Sequence, residues 1–239
     1  MKYVIGIDEV GRGSLAGPVV VAAVAIPFDF HALPPVAGFA VPVAHHLHRG
    51  RRRLPLRDSK KLNANQRALW FSYFKHHPKV FYAIAKAHAK TIDAMNISAA
   101  ANAAALRAFE TLVASSKHIA KNSRVFLDGG LFLGNGTRDK RHGKRIQKIA
   151  ERNTRTSAFD PRISARTMVK ADEKITAVKI ASIMAKVYRD SLMARLAKKY
   201  PKYGFEVHKG YGTKRHMRAI RKHGPSKIHR MTFLRKLKP

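Results

Sequence analysis

Asp8 and Glu9 stand side by side in Tyr3-Val4-Ile5-Gly6-Ile7-Asp8-Glu9-Val10-Gly11-Arg12-Gly13, where a short apolar strand gives way to a glycine turn. Adjacent carboxylates repel each other and cost stability unless a cation or a basic partner neutralises them. The chain has 14 Asp and Glu against 48 Lys and Arg, so an acid at a strand end or beside glycine is conspicuous. Two more occupy such places. Asp128 closes Arg124-Val125-Phe126-Leu127 and precedes Gly129-Gly130, and Asp172 follows Lys170-Ala171 just before a long helical stretch. Strand ends and a helix start can converge on one edge of a sheet. Asp8, Glu9, Asp128 and Asp172 are therefore candidate ligands for hard cations such as Mg2+ or Mn2+, which take oxygen donors. Two such ions about 3.5–4 Å apart activate water on one side of a phosphodiester and stabilise the leaving oxygen on the other.

Plainer roles stay open for each acid. A nearby Arg or Lys can neutralise Asp8 and Glu9, Asp128-Gly129 is also a turn signal, and Asp172 also reads as a helix cap. Asp190 competes with Asp172. If Glu173 to Lys199 is one continuous helix, the 18 residues between these acids span about 27 Å, too far to share one metal pair. Asp172, at the helix start beside a sheet edge, is the preferred member.

The basic and aromatic residues have their own pattern. Gly11-Arg12-Gly13 is either a tight connection or a place where backbone approaches a ligand closely, with Arg12 offering a fork of donors. Asp58-Ser59-Lys60-Lys61-Leu62 opens a predicted helix over Asn63 to His76. Ser59 is a possible cap there, and Lys60 and Lys61 oppose the helix dipole unless a phosphate docks. His208-Lys209-Gly210-Tyr211-Gly212-Thr213 holds a tyrosine between glycines in a basic loop, which favours stacking on a sugar or base over core packing. The histidines, His45-His46 included, have no zinc spacing.

These motifs need a scaffold, and 239 residues with 45% hydrophobic content can bury a real core. A net charge of +34 points to a polyanion, and polynucleotide is favoured over a membrane surface because the Lys and Arg are dispersed along the chain. Cysteine is absent, which excludes disulfides and thiolate metal sites. No signal peptide precedes the first motif, and the longest apolar run, Val19 to Ile26, is too short to span a bilayer; the expectation is a cytoplasmic monomer with no membrane partner. Strands are predicted at Tyr3–Ile7, Val19–Ile26, Val80–Ala85, Arg124–Leu127 and Arg166–Val169. Helices are predicted at Asn63–His76, Thr91–Ser116, Glu173–Lys199 and Lys214–Lys222. Their alternation gives an α/β sandwich around a mixed sheet. Residues 27–57 and 134–166 read as long surface excursions, the latter a loop or an extended hairpin.

In this order the motifs resemble ribonuclease HII. The matching segments are Gly6 to Gly13 with Leu15-Ala16-Gly17-Pro18; Asp58 to Leu62; Ile92-Asp93 with Asn96-Ile97; Leu127-Asp128-Gly129; Lys170-Ala171-Asp172; Ala181-Ser182-Ile183 with Ala185-Lys186-Val187 and Arg189-Asp190; Tyr203-Gly204-Phe205; His208 to Thr213; and His229-Arg230 with Phe233. The resemblance implies an RNase H-like fold over 1–200, with insertions near 27–57 and 134–166, and a basic, helical, substrate-binding segment over 201–239. It implies an endonuclease that cuts the RNA strand of RNA–DNA hybrids and nicks at ribonucleotides embedded in duplex DNA, leaving 3′-hydroxyl and 5′-phosphate ends. It places a two-metal Mg2+ or Mn2+ site on Asp8, Glu9, Asp128 and Asp172. Gly11, Arg12 and Gly13 would sense the ribose 2′-hydroxyl, and Tyr211 would stack under the next sugar. Ser59, Lys60, Lys186 and Arg189 join the expected substrate contacts. Ribonuclease HIII and a non-catalytic nucleic-acid binder of the same fold are the alternatives. HIII carries a substrate-binding domain ahead of its catalytic motif, whereas here that motif starts at residue 3. The chain departs from typical members in its extreme charge, in Lys179, and in the added basic residues of both excursions. Residues 134–160 are expected to be either an added nucleic-acid-binding arm or a disordered insertion.

Overall fold

The computed structural model describes residues 2–31, 54–57, 59–116, 118–119, 123–133, 145–148 and 164–235, with backbone alone for 145–148 and 164. Asp58, His45-His46, the middle of the 27–57 excursion and most of the 134–160 arm lie outside the described residues.

The architecture is a six-stranded mixed sheet with helices on both faces. Its strands are β1 (Tyr3–Val10), β2 (Val19–Pro27), β3 (Phe81–Ala87), β4 (Ser123–Asp128), β5 (Arg145–Lys148) and β6 (Ser164–Met168), in the spatial order β3-β2-β1-β4-β6-β5. β1 pairs antiparallel with β2 and parallel with β4. β4 runs parallel to β6, and β5 returns antiparallel along β6, so part of the expected hairpin in 134–166 is a sheet edge. β2 is buried along its whole length, which explains its unbroken apolar run. Val19, Val21, Ala23 and Ala25 pack on one side with α2 (Ala89–Met95) and α3 (Ile97–Ala114). Val20, Ala22, Val24 and Ile26 pack on the other, with Trp70 and Phe74 of α1 (Ala64–His76).

Three predicted helix boundaries change. The segment Ser59–Lys61 is a single 3-10 turn, and α1 starts after Asn63, whose side chain accepts from Gln66 N–H while Gln66 accepts from Asn63 N–H. This reciprocal cap satisfies the orphan donors, so Ser59 is not the cap. The predicted helix Thr91–Ser116 is two helices. Asn96 adopts φ 69° and caps α3 through Ala99 N–H, a backbone state asparagine tolerates better than most residues. The predicted helix Glu173–Lys199 is also two, α4 (Ala171–Lys174) and α5 (Thr176–Lys199), separated by extended Ile175. Asp172 thus sits inside a short turn of its own and does not cap the long helix.

α5 lies close against β1. A Cβ on Gly6 would come within 2.2 Å of the Ala177 carbonyl carbon and the Val178 nitrogen. Both are backbone atoms and cannot swing aside, so the closeness of this packing depends on glycine at position 6. Beyond α5, the chain forms α6 (Phe205–His208), α7 (Lys214–His223) and α8 (Met231–Leu234). These surround a small third core of Ala16, Met193, Ala197, Tyr203 and Phe205. Gly6→Ala should force α5 off the sheet and destabilise the protein by about 3 kcal/mol, measured as the loss of unfolding free energy in urea; a change under about 0.5 kcal/mol would show that the helix can yield.

Candidate active site

β1 and β4 end side by side because they are parallel, with Ile7 opposite Leu127. That register brings Asp8, Glu9 and Asp128 to one end of the sheet. Asp8 is 5% exposed, and the Glu9 side chain is 7% exposed. Burial and repulsion from Glu9 and Asp128 hold Asp8 well above the usual carboxylate range, against the opposing pull of hydrogen bonds from Ser182 and from Glu9 N–H. Glu9 is pushed up to about 7, mainly by burial and also by Asp128, with Arg12 opposing. A chain of net charge +34 thus keeps two acids where desolvation outweighs its overall field.

Asp172 reaches the same place by two routes. Its neighbour Ala171 donates its backbone N–H to Asp128 Oδ1 at 2.9 Å, an approach made by the left-handed turn at Lys170, φ 57°. On the other side, Asp172 Oδ2 lies 3.7 Å from Lys60 Nζ. Ser59, next to Lys60, shares a 2.8 Å hydrogen bond with Ser182, and Ser182 bonds Asp8. A connected path therefore runs from Asp8 through Ser182, Ser59, Lys60, Asp172 and Ala171 to Asp128, whose charge in turn repels that of Asp8. Among the described residues no three His, Cys, Asp or Glu side chains already form a metal cage. One atom signals a missing partner: Glu9 Oε2 is buried with no hydrogen bond, an arrangement that costs free energy until a cation or donor arrives. The donor set is all oxygen, as Mg2+ or Mn2+ requires.

Arg12 spans this acid cluster. Its guanidinium lies 3.1 Å from Ser98 Oγ and 3.5 Å from both Glu9 Oε1 and the Gly130 carbonyl. Gly13 is exposed, and a Cβ added there would meet nothing within 4 Å. Behind the loop stand two buried arginines. Arg230 donates to the carbonyls of Gly11, Arg12 and Gly17. Arg189 donates to the carbonyls of Ala16, Pro18 and Lys209 and to Ser14 Oγ. Burial, with the nearby Arg189 charge, lowers Arg230 to about 9. Gly11 adopts φ 91°, and a Cβ on it would strike Arg189 Nε at 2.2 Å, so glycine is required here twice over. The Arg189 guanidinium also lies 5.5 Å from the centre of the Tyr211 ring. It therefore touches the glycine loop and the tyrosine loop together.

The expected phosphate contact at Arg189 is thereby corrected. Its side chain is 0% exposed and its donors are spent on protein oxygens. Lys186 is paired with Asp190 at 3.0 Å, one turn along the same helix. Ser59 is buried against Ser182 and not displayed to solvent.

A sequence model of the family "Ribonuclease HII" matches residues 5–236. The chain belongs to the ribonuclease HII family. It is 35% identical over 236 residues to the ribonuclease HII of Thermosynechococcus vestitus, a match covering 99% of this chain and 86% of the relative. It is similar in structure to ribonuclease H2 of Pyrococcus horikoshii, with TM-score 0.59, 22% identity, and coverage of 98% and 96% of the two chains. A ribonuclease HIII, Bst-RNase HIII in complex with Mn2+, gives TM-score 0.52 at 20% identity, covering 93% of this chain and 63% of that one. These two likenesses show the fold. The family membership makes the chain a ribonuclease H, a phosphodiester-hydrolysing endonuclease.

Several residues of the site are not among the candidates named from the sequence. Ser182 and Arg230 lie in segments that carry the family resemblance and Ser98 does not, but the role of each is set by partners 86 to 219 positions away. Asp93, in another of those segments, is a further case. Its carboxylate accepts from Met231 N–H, Thr232 N–H and Thr232 Oγ1, and so caps α8 and fastens it beside the glycine loop. No helix among the described residues is long and apolar enough to cross a membrane.

Buried His216 and His229 are each pushed down to about 4, chiefly by burial. A histidine whose folded pKa lies below its unfolded value of about 6.5 contributes stability in full above that value. The contribution is lost as pH falls from about 6.5 towards 4, because the unfolded chain takes up the proton first. The melting temperature should therefore begin to fall below about pH 6.5, and His229→Gln should shrink that fall; an unchanged slope in the variant would rule out this origin.

Proposed function

We propose that the protein hydrolyses the RNA strand of RNA–DNA hybrids and nicks duplex DNA at single embedded ribonucleotides, using two divalent cations held by Asp8, Glu9, Asp128 and Asp172. The observation that carries this reading is the unpartnered, buried Glu9 Oε2 beside Asp8 and Asp128. Buried acids packed this closely are destabilising until a cation joins them. Mg2+ or Mn2+ supplies the neutralising charge, an activated water and stabilisation of the leaving 3′ oxygen, which gives 3′-hydroxyl and 5′-phosphate ends.

The chain's own groups do the rest. The carboxylates of Asp8 and Glu9 are held on a rigid strand, Asp8 by Ser182 and Asp128 by Ala171 N–H, so little reorganisation accompanies the reaction. Lys60 shields Asp172 and is 81% exposed, well placed to meet the scissile strand. With the Gly11 and Arg12 carbonyls drawn inward by Arg230, the outer side of Gly11-Arg12-Gly13 faces the substrate. A site that hydrogen-bonds a 2′-hydroxyl strongly rejects the deoxy analogue, since its buried polar groups are then left unpaired. Tyr211 offers a ring for the neighbouring sugar, and Lys186 offers charge to the backbone. Residues 201–235 act as the basic substrate-binding segment: α7 exposes Lys214, Arg215, Arg218, Arg221 and Lys222 next to Tyr211, so affinity should fall steeply with salt.

Two outcomes test this. Asp8→Asn should abolish nicking of duplex DNA bearing one ribonucleotide in Mg2+ or Mn2+, while raising the metal-free melting temperature by a few degrees, about 1 kcal/mol, because the cost of burying an ionisable carboxyl beside two others is gone. Retained nicking would remove Asp8 from the chemistry, and tight binding without nicking by the wild type would mark a binder. Gly13→Ala should fold normally, since its Cβ meets open space, yet lose on the order of a hundredfold in cleavage at the ribonucleotide. Wild-type activity in this variant would place the 2′-hydroxyl elsewhere.

A further inference from the structure

Tyr211 sits between Gly210 and Gly212, where the backbone has the most freedom, yet a stacking platform must be held still. The structure supplies the restraint through a chain of buried histidines. Ser226 N–H donates to His229 Nδ1 at 2.8 Å, so Nδ1 is an acceptor and the ring proton sits on Nε2. His229 Nε2 lies 3.0 Å from His216 Nε2, which must then accept. The His216 proton is therefore on Nδ1, and that atom donates to the Tyr211 carbonyl at 2.9 Å. Each step fixes the next, and no alternative tautomer keeps all three bonds.

The surroundings reinforce the assignment. His216 and His229 are buried and are neutral at working pH, being pushed down to about 4. His208 stacks on His216 with ring centres 4.3 Å apart and adds the parallel restraint, accepting from Gly210 N–H and donating from Nε2 to the Tyr203 carbonyl. Tyr211 N–H is bound by the His208 carbonyl, and the Tyr211 carbonyl also receives Thr213 N–H. The loop is thus pinned on both sides of the tyrosine, while the ring itself is left half-exposed above Arg189.

We propose that His216, locked in its Nδ1–H tautomer by His229 and Ser226, is the positioning residue that holds Tyr211 in place for the substrate sugar. This rests on the stacking role proposed for Tyr211. It makes His216 a determinant of junction cleavage without any contact with nucleic acid.

Two conservative variants separate the bonds. His216→Asn keeps a donor near the Nδ1 position, facing Tyr211, and gives up the link to His229. His216→Gln keeps an acceptor for His229 Nε2–H and gives up the bond to Tyr211. Steady-state cleavage of duplex DNA with one embedded ribonucleotide should fall about five- to tenfold in kcat/KM for His216→Gln, the effect of one lost hydrogen bond, and much less for His216→Asn, with both variants melting as cooperatively as the wild type. In a Tyr211→Ala background, His216→Gln should add nothing. Equal losses in the two variants, or an undiminished loss in the Tyr211→Ala background, would overturn the proposal. Tyr211→Ala alone tests the stacking role: unchanged cleavage would sink that role. Long-range 15N–1H spectra report independently on the relay, with His216 expected to be protonated at Nδ1 and His229 at Nε2; the reverse pattern refutes it whatever Tyr211 does.

Discussion

The structure depends most on the burial of like charges at the end of two parallel strands. Asp8 and Glu9 are nearly inaccessible, Asp128 faces them across the β1–β4 pair, and one oxygen of Glu9 has no partner. In a low-dielectric setting such a group opposes folding, and the neighbouring elements offset it. Ser182 on α5 and Ala171 N–H each donate to a carboxylate, and Lys60 brings charge to Asp172. α5 can deliver Ser182 only because Gly6 lets it lie against β1. The close helix–sheet packing and the hydrogen bond from Ser182 are therefore one constraint seen from two sides.

A second constraint ties the ends of the chain together. Arg230 reaches back over more than two hundred positions to the Gly11, Arg12 and Gly17 carbonyls, and Leu15 and Gly17 exchange backbone hydrogen bonds with Arg230 and Ile228. The C-terminal segment is in this way fastened to the glycine loop. Two guanidinium groups buried near each other repel, and the arrangement is tolerated because their N–H groups are satisfied by buried carbonyl oxygens. Arg189 then links the glycine loop to the loop that carries Tyr211, so the two loops share one anchor.

The sequence was most legible where a residue's meaning is local. Adjacent carboxylates after an apolar strand, a tyrosine between glycines, and an apolar run buried on both faces all carry their own signal, and the nine ordered segments pointed to the family that the comparisons bear out. Helix boundaries were less legible. The breaks at Asn96 and Ile175 have no proline or glycine to mark them; they exist because a side-chain cap and a turn toward Asp128 are worth more than helical continuity. Arg189 shows the same limit within the site. A basic residue on a helix in a nuclease reads as a phosphate contact, and only packing reveals that its charge is turned inward.

By itself, then, the sequence determined the α/β class, which follows from residue types and short spacings, and its ordered motifs carried the resemblance to the family it belongs to. Tertiary structure alone decided which acids meet, which arginines are buried, and which tautomers the histidines adopt. Those outcomes rest on contacts between positions far apart in the chain, and a hydrogen bond or a desolvation cost has no value until both partners have been brought together.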